Sequence, residues 1–240
     1  MKILVNGAQG KMGQTTTACI DAQDDMHLVA TCDQGDDLKA LLQAHAPDIV
    51  IDFTNADSVW KNLQIILDNG ARPVIGSSGL TEEQIKTATA LCDDKKIGCI
   101  IAPNFALGAI LMMKYTADAA RYFDDVEIIE YHHPGKLDAP SGTAIKTAEM
   151  ISENRKNESP RQSKELLPGA LGATHKGVPI HSLRLTGTIA NQAVTFGAPG
   201  QTLTIRHDSL DRESFMPGVL LACRKVMSSN SLVYGLENLL

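Results

Sequence analysis

Lys2-Ile3-Leu4-Val5-Asn6-Gly7-Ala8-Gln9-Gly10-Lys11-Met12-Gly13 runs a short apolar stretch into a glycine turn. The pattern predicts a buried strand over 2–6, a tight turn, and a helix to about residue 22. Glycine lets the backbone approach a pyrophosphate closely, and the helix start then receives its charge. Against the dinucleotide pattern G-x-G-x-x-G, Gly10 and Gly13 match the last two glycines, Ala8 takes the first place and Gly7 precedes it. A second strand, His27 to Cys32, ends at Asp33, about 20 residues after the turn, where an acid would bind ribose hydroxyls. The alternative for Asp33 is a solvated turn beside Gly35, Asp36 and Asp37.

The alternation continues outward. Residues 48–53, Asp-Ile-Val-Ile-Asp-Phe, hold a near-continuous apolar run, as a strand buried on both faces requires. A helix follows over 56–69, with Trp60, Leu63, Ile66 and Leu67 on its core face. A strand over 73–76, a capping box at Thr81–Gln84 opening another helix, and a strand over 97–102 complete the series. Repeated strand–helix units predict an α/β fold, a Rossmann-like doubly wound parallel sheet. In such sheets ligands lie at the carboxyl ends of the strands. Phe53 and Thr54, then Gly76, Ser77 and Ser78, then Ala102, Pro103, Asn104 and Phe105 fall there, although Thr54 or Asn55 could simply cap the helix at 56.

The second half predicts a separate α+β domain containing an open, mixed or mostly antiparallel sheet. It has a helix over 107–123, a strand bearing Glu130, and strands over 180–185, 193–196 and 203–206. Polar stretches at 155–164 and 168–177 read as a long loop. A helix over 214–227 has an apolar face suited to packing on the first domain. The expected division is 1–105 completed by 208–240 for the dinucleotide domain, and 106–207 for substrate binding and oligomerisation.

Composition limits the function. The chain has 240 residues, 43% hydrophobic and 21% charged, with a formal net charge of −6, which argues against nucleic-acid or anionic-membrane partners. No apolar stretch approaches a membrane span, and the N-terminal run is too short for a signal peptide. Five scattered cysteines lack ligand spacing, so neither a metal nor disulfides are expected, and a reducing cytoplasm is.

Residues 130–144, Glu-Tyr-His-His-Pro-Gly-Lys-Leu-Asp-Ala-Pro-Ser-Gly-Thr-Ala, carry the chemistry. Two imidazoles, His132 and His133, precede the ammonium of Lys136. Ser141, Gly142 and Thr143 then open a helix over 144–154, whose unpaired amides suit a carboxylate. Solvated histidines and an ordinary turn are the bland alternative. With a dinucleotide site in the same chain, the loop suits a small acid that is reduced and protonated.

Together these segments resemble the 4-hydroxy-tetrahydrodipicolinate (dihydrodipicolinate) reductase family. The run 130–144 looks like its signature, and Asp52-Phe53-Thr54, Arg184, and Arg206-His207 with Arg212 and Phe215 fall in the expected order. The resemblance implies that Gly7, Ala8, Gln9, Gly10, Lys11, Met12, Asp33, Gly76, Ser77, Ser78 and Ala102 to Phe105 bind a nicotinamide dinucleotide. It implies His132 as proton donor with Lys136 assisting, and His133, Gly142 and Thr143 holding the carboxylates of a small dicarboxylate. It further implies a homotetramer. Asp33 and Lys11, of opposite charge, predict use of both NADH and NADPH with NADH modestly preferred. Two departures stand out: Ala190-Asn191-Gln192 replaces the family's usual Gly-Glu-His, and the short 33–48 segment predicts one strand fewer than in longer members. Another small-acid dehydrogenase and a non-catalytic dinucleotide sensor remain the alternatives.

Overall fold

In the computed structural model, which describes residues 1–157 and 163–240, the opening apolar run becomes β1 (Lys2–Asn6), followed by α1 (Lys11–Asp21). β1 pairs in parallel with β2 (His27–Cys32) on one side and β3 (Ile49–Asp52) on the other. β4 (Arg72–Ile75), β5 (Cys99–Ile101) and β11 (Leu232–Tyr234) extend the sheet in parallel, giving the order β11-β5-β4-β3-β1-β2. The order reverses between β1 and β3, which is where ligands bind in doubly wound sheets. All four residues of β3 are buried, as both faces are covered by helices.

Two glycines make the first turn possible. Gly7 sits at φ +79°, and a Cβ there would lie 2.6 Å from the Phe53 carbonyl oxygen. A Cβ on Gly13 would lie 2.1 Å from the Gly7 carbonyl oxygen, so only glycine lets α1 start this close to the turn. Gly13→Ala is therefore expected to cost about 1–3 kcal/mol, measurable as a lower denaturation midpoint at unchanged slope. An unchanged midpoint would mean that the turn relaxes freely.

Several sequence expectations are corrected here. α2 (Leu38–His45), capped by Asp37, fills the short segment between β2 and β3, where no helix was expected. The helix expected from residue 56 is α3 (Val59–Asp68). Asn55 Oδ1 accepts from the amides of Asp57 and Ser58 at 3.0 and 3.2 Å, building a turn that delays the helix. Thr81 and Gln84 do form the reciprocal cap of α4 (Glu82–Lys95), and Trp60 packs against the core beside Val59 and Leu63.

The second unit, Leu107–Asp211, contains α5 (Leu107–Ala119), β6 (Asp125–His132), α6 (Gly142–Asn154), β7 (Ala173–His175), β8 (Val178–Arg184), β9 (Ala190–Ala198) and β10 (Gln201–Ser209). Its sheet runs β10-β9-β6-β8-β7. Only β6 and β8 are parallel; the other pairings are antiparallel. Alternate residues Val126, Ile128, Val194 and Phe196 pack with Ala144, Ala148 and Ile151 of α6. On the opposite face, the Arg206 guanidinium lies 5.5 Å from the Tyr131 ring centroid.

α5 stops at Ala119, short of the expected 123, and the 168–177 loop contains β7. Of the polar stretch 155–164, residues 158–162 lie outside the described residues. The expected boundary at 207/208 falls within β10, whose pairing continues to Ser209 opposite Ala190. The first unit is accordingly Met1–Ala106 with Arg212–Leu240. Its last helix, α7 (Met216–Val226), packs so closely that a Cβ on Gly218 would be 2.0 Å from the Phe105 carbonyl oxygen.

Candidate functional site

In the first unit, the amides of Gly7 and Ala8 donate to Cys32 O at 2.8 and 3.2 Å, and Gly10 N donates to Gly7 O at 3.2 Å. Those bonds shape the loop and engage three of its amides. Gln9 N donates to Asp33 Oδ2 at 2.7 Å, and Gln34 N to Oδ1 at 2.8 Å. These backbone bonds, Gln9's first, hold the Asp33 carboxyl below its usual range. Asp33 thus anchors the turn, with lone pairs left for ribose hydroxyls. α1 has Gly10 as N-cap, no side-chain cap and no acid in its first turn. Its first amides have no side-chain cap and Lys11 is exposed beside them, so both are available to an anion.

The strand ends are organised by Asp52, quoted in the sequence motif Asp52-Phe53-Thr54 without a role. Asp52 is fully buried and accepts from Asn6 Nδ2 at 2.8 Å, Thr54 Oγ1 at 2.7 Å, Asn62 Nδ2 at 3.0 Å and Ser77 Oγ at 2.6 Å. The Thr54 and Ser77 hydroxyl protons are therefore committed inward, leaving their oxygens and backbone for a cofactor. Phe53 and Phe105 meet edge to face, 5.7 Å between centroids. A Cβ on Gly76 would lie 2.2 Å from the Phe53 ring, so this strand end must stay bare. Asn104 Oδ1 accepts from Ala106 N at 2.9 Å and Ala102 is buried, whereas Ser78 and Pro103 are exposed. A bare helix start, a cation, an anchored acid and a glycine edge beside aromatic rings fit a nicotinamide dinucleotide.

In the second unit the site is built around Glu130, whose side chain is fully buried. Both its oxygens accept from Arg184 Nη1 at 3.0 Å, and Oε1 accepts from Ser141 N at 3.3 Å. Oε2 is hydrogen-bonded with His132 Nδ1. Burial pushes the Glu130 carboxyl up, but hydrogen bonds from Ser182, His132 and Arg184 prevail and leave it below its usual value. His132 is itself lowered, by burial first and then by Lys136 and Arg184, with Glu130 opposing. Arg184 Nη2 also donates to Asp138 O at 2.7 Å, which fixes the loop carrying Lys136. The Lys136 ammonium is paired with Asp138 at 2.8 and 2.9 Å.

Ser141 caps α6, its Oγ accepting from Ala144 N at 3.2 Å. The first turn is braced from below: Gln192 Nε2 donates to Thr147 Oγ1 at 2.9 Å, and Thr147 Oγ1 to Thr143 O at 2.7 Å. Gln192, in the unusual Ala190-Asn191-Gln192 segment, is thus structural support for the helix start. His132, Lys136 and Ser141 are tied into one network through Glu130, Arg184 and Asp138. His133 is exposed, its Nδ1 lying 3.3 Å from where a Gly135 Cβ would stand. Gly142 is exposed and Thr143 half-buried at the helix start. Glu130 and Asp138 were quoted in the sequence motif without roles; one signal was available, a carboxylate within an apolar strand, which burial permits only when it is paired.

The two units supply the parts of an NAD(P)H-dependent oxidoreductase with an α/β dinucleotide domain. Family models described as dihydrodipicolinate reductase, N-terminus and C-terminus, match residues 1–105 and 108–240. The chain belongs to the dihydrodipicolinate reductase family. It is 53% identical over 240 residues to the 4-hydroxy-tetrahydrodipicolinate reductases of Coxiella burnetii (strain RSA 493 / Nine Mile phase I) and Legionella pneumophila (strain Philadelphia 1), covering 100% of this chain and 99% of each relative. The dipicolinate-bound dihydrodipicolinate reductase from Paenisporosarcina sp. TG-14 superposes with a TM-score of 0.92 at 45% identity, covering 100% of this chain and 99% of that one. An amine dehydrogenase from Mycobacterium smegmatis, at 12% identity and TM-score 0.63, shares the fold alone.

Proposed function

We propose that the protein reduces 4-hydroxy-tetrahydrodipicolinate to tetrahydrodipicolinate in lysine and diaminopimelate biosynthesis, with His132 as the proton donor. The observation that carries this mechanism is the imidazole held at Nδ1 by a buried carboxylate, in the same loop as Lys136 and the α6 start. A reduced nicotinamide dinucleotide, when bound, supplies the hydride. The chain's residues bind, orient and protonate. Lys136 exchanges Asp138 for a substrate carboxylate and favours negative charge moving onto the ring nitrogen. The amides of Gly142 and Thr143, with His133, hold the second carboxylate. His132 delivers the proton from Nε2, the nitrogen not engaged by Glu130. The cofactor is held by Lys11, Met12 and the Asp33-anchored turn, with the edge formed by Phe53, Thr54, Gly76, Ser77, Ser78 and Ala102 to Phe105.

Among the described residues no helix is long and apolar enough to cross a membrane. A cytoplasmic homotetramer assembled through the second-unit sheet completes the reading. It rests on the family and on the open sheet face bearing Glu127, Ile129 and Tyr131, and sedimentation of the purified protein tests it.

Both cofactors are expected to work, NADH modestly better. The Asp33 carboxylate repels a 2′-phosphate, while Lys11 attracts it. Comparing kcat/KM for the two cofactors, Asp33→Ala should shift preference toward NADPH by about tenfold, and Lys11→Ala should weaken NADPH selectively. A wild type confined to one cofactor would refute dual use. Unchanged ratios in both variants would remove the two residues from selectivity.

A further inference from the structure

The Glu130 carboxylate has more partners than a strand residue needs for packing. It is buried without residual exposure, is hydrogen-bonded by Arg184 from β8 at 3.0 Å and by the Ser141 amide at 3.3 Å, and meets His132 Nδ1. We infer that Glu130 is the positioning residue of the proton transfer: it fixes the His132 ring with Nδ1–H toward the protein interior, so that the transferable proton is carried on Nε2 of the imidazolium.

The geometry leaves one assignment of protons. An ionised carboxylate only accepts, so the nitrogen it meets must be the donor. Neutral His132 then has a bare Nε2, and the acid is the imidazolium formed when Nε2 gains a proton. When that proton passes to substrate, the N–H bond at Nε2 breaks and its electron pair stays on nitrogen. The neutral ring retains Nδ1–H on Glu130. Carboxylate–imidazole pairs act in this way in other enzymes, orienting the ring and stabilising its cation. Arg184 plays a second part, balancing the Glu130 charge so that burial does not neutralise it. The Ser141 amide links the same carboxylate to the α6 start, so proton donor and carboxylate-binding turn share one anchor.

The charged groups around His132 are Glu130 on its own strand, Lys136 and its partner Asp138 in the loop, and Arg184 from β8. Of these, the Glu130 carboxylate is in contact with the ring and stabilises its cation; Lys136 and Arg184 oppose it. Because the acid must be protonated, kcat/KM should fall as pH rises through the His132 pKa. Removing Glu130 lowers that pKa further and moves the fall to lower pH.

This inference rests on His132 being the donor, and its test separates the two claims. In wild-type enzyme labelled with 15N-histidine, NMR should find neutral His132 protonated on Nδ1; a proton on Nε2 overturns the inference whatever the activity. Glu130→Gln should reduce kcat by about 10²-fold at neutral pH and shift the pH fall downward, while NADH affinity by calorimetry stays within about twofold. Combined with His132→Gln, it should add almost nothing to the loss of His132→Gln alone, since the two residues act as one unit. Multiplied losses, or a pH profile that does not move, would make Glu130 a structural residue and overturn the inference. If His132→Gln alone keeps full turnover, it is the donor assignment that fails, while the NMR result still reports on the Glu130 contact.

Discussion

Replacing His132 with glutamine is expected to lower kcat by about 10²–10⁴-fold, with a much smaller change in KM. Glutamine retains a polar side chain of similar reach, and its amide can still donate to Glu130, so the buried carboxylate keeps a partner. What is lost is a group that holds and releases a proton near neutral pH. An interaction made only in the transition state appears in kcat and in kcat/KM equally. Steady-state kinetics at neutral pH, with the variant's melting temperature alongside, provide the check. A kcat near the wild-type value would remove His132 from the chemistry.

Lys136→Ala is expected to weaken the dicarboxylate by about 10–10²-fold, the range for a hydrogen bond to a charged group, with turnover falling as well. The ammonium is half-buried and already paired with Asp138 at 2.8 Å. Its removal takes away the ion-pair partner of the Asp138 carboxylate, but Asp138, 65% exposed at its side chain, can be solvated instead. Stability should therefore change little. Calorimetry with dipicolinate and, separately, with NADH distinguishes the sites. Loss of dicarboxylate binding with NADH binding intact is the expected pattern; a matched loss of NADH binding would place Lys136 on the cofactor side.

Much of the fold could be read because the local chemistry was explicit. Gly7, Gly10 and Gly13 follow an apolar run, Ile49 to Ile51 are continuous with it in pattern, and Thr81 with Gln84 marks a helix start. The parts that escaped are short. β11 has three residues and exists through pairing with β5, more than 130 positions earlier in the chain (Leu232 with Cys99). β7 is equally short and depends on β8. α2 has eight residues, too few to establish a helical period beside the acidic Asp33–Asp37 turn.

The candidate site divides in the same way. His132, Lys136 and Ser141 stood together in one loop and were visible as a cluster. Glu130 and Arg184 are 54 positions apart, and only the parallel pairing of β6 with β8 brings them into contact. Asp52 followed three apolar residues and was read as part of their strand. Of its four side-chain donors only Thr54 is a near neighbour; Asn6, Asn62 and Ser77 come from other segments, so most of the network around its buried carboxylate left no local trace. For Thr54 and Ser77 the position at the strand ends was legible, but the direction of their hydroxyls was set by Asp52.

The most direct measurement is a coupled assay with freshly generated 4-hydroxy-tetrahydrodipicolinate and the purified protein, following NADH absorbance. Oxidation of NADH that depends on both the dicarboxylate and the protein, is inhibited by dipicolinate, and collapses in His132→Gln is the expected result. Folded protein that binds NADH but oxidises none in the presence of that substrate would contradict the account.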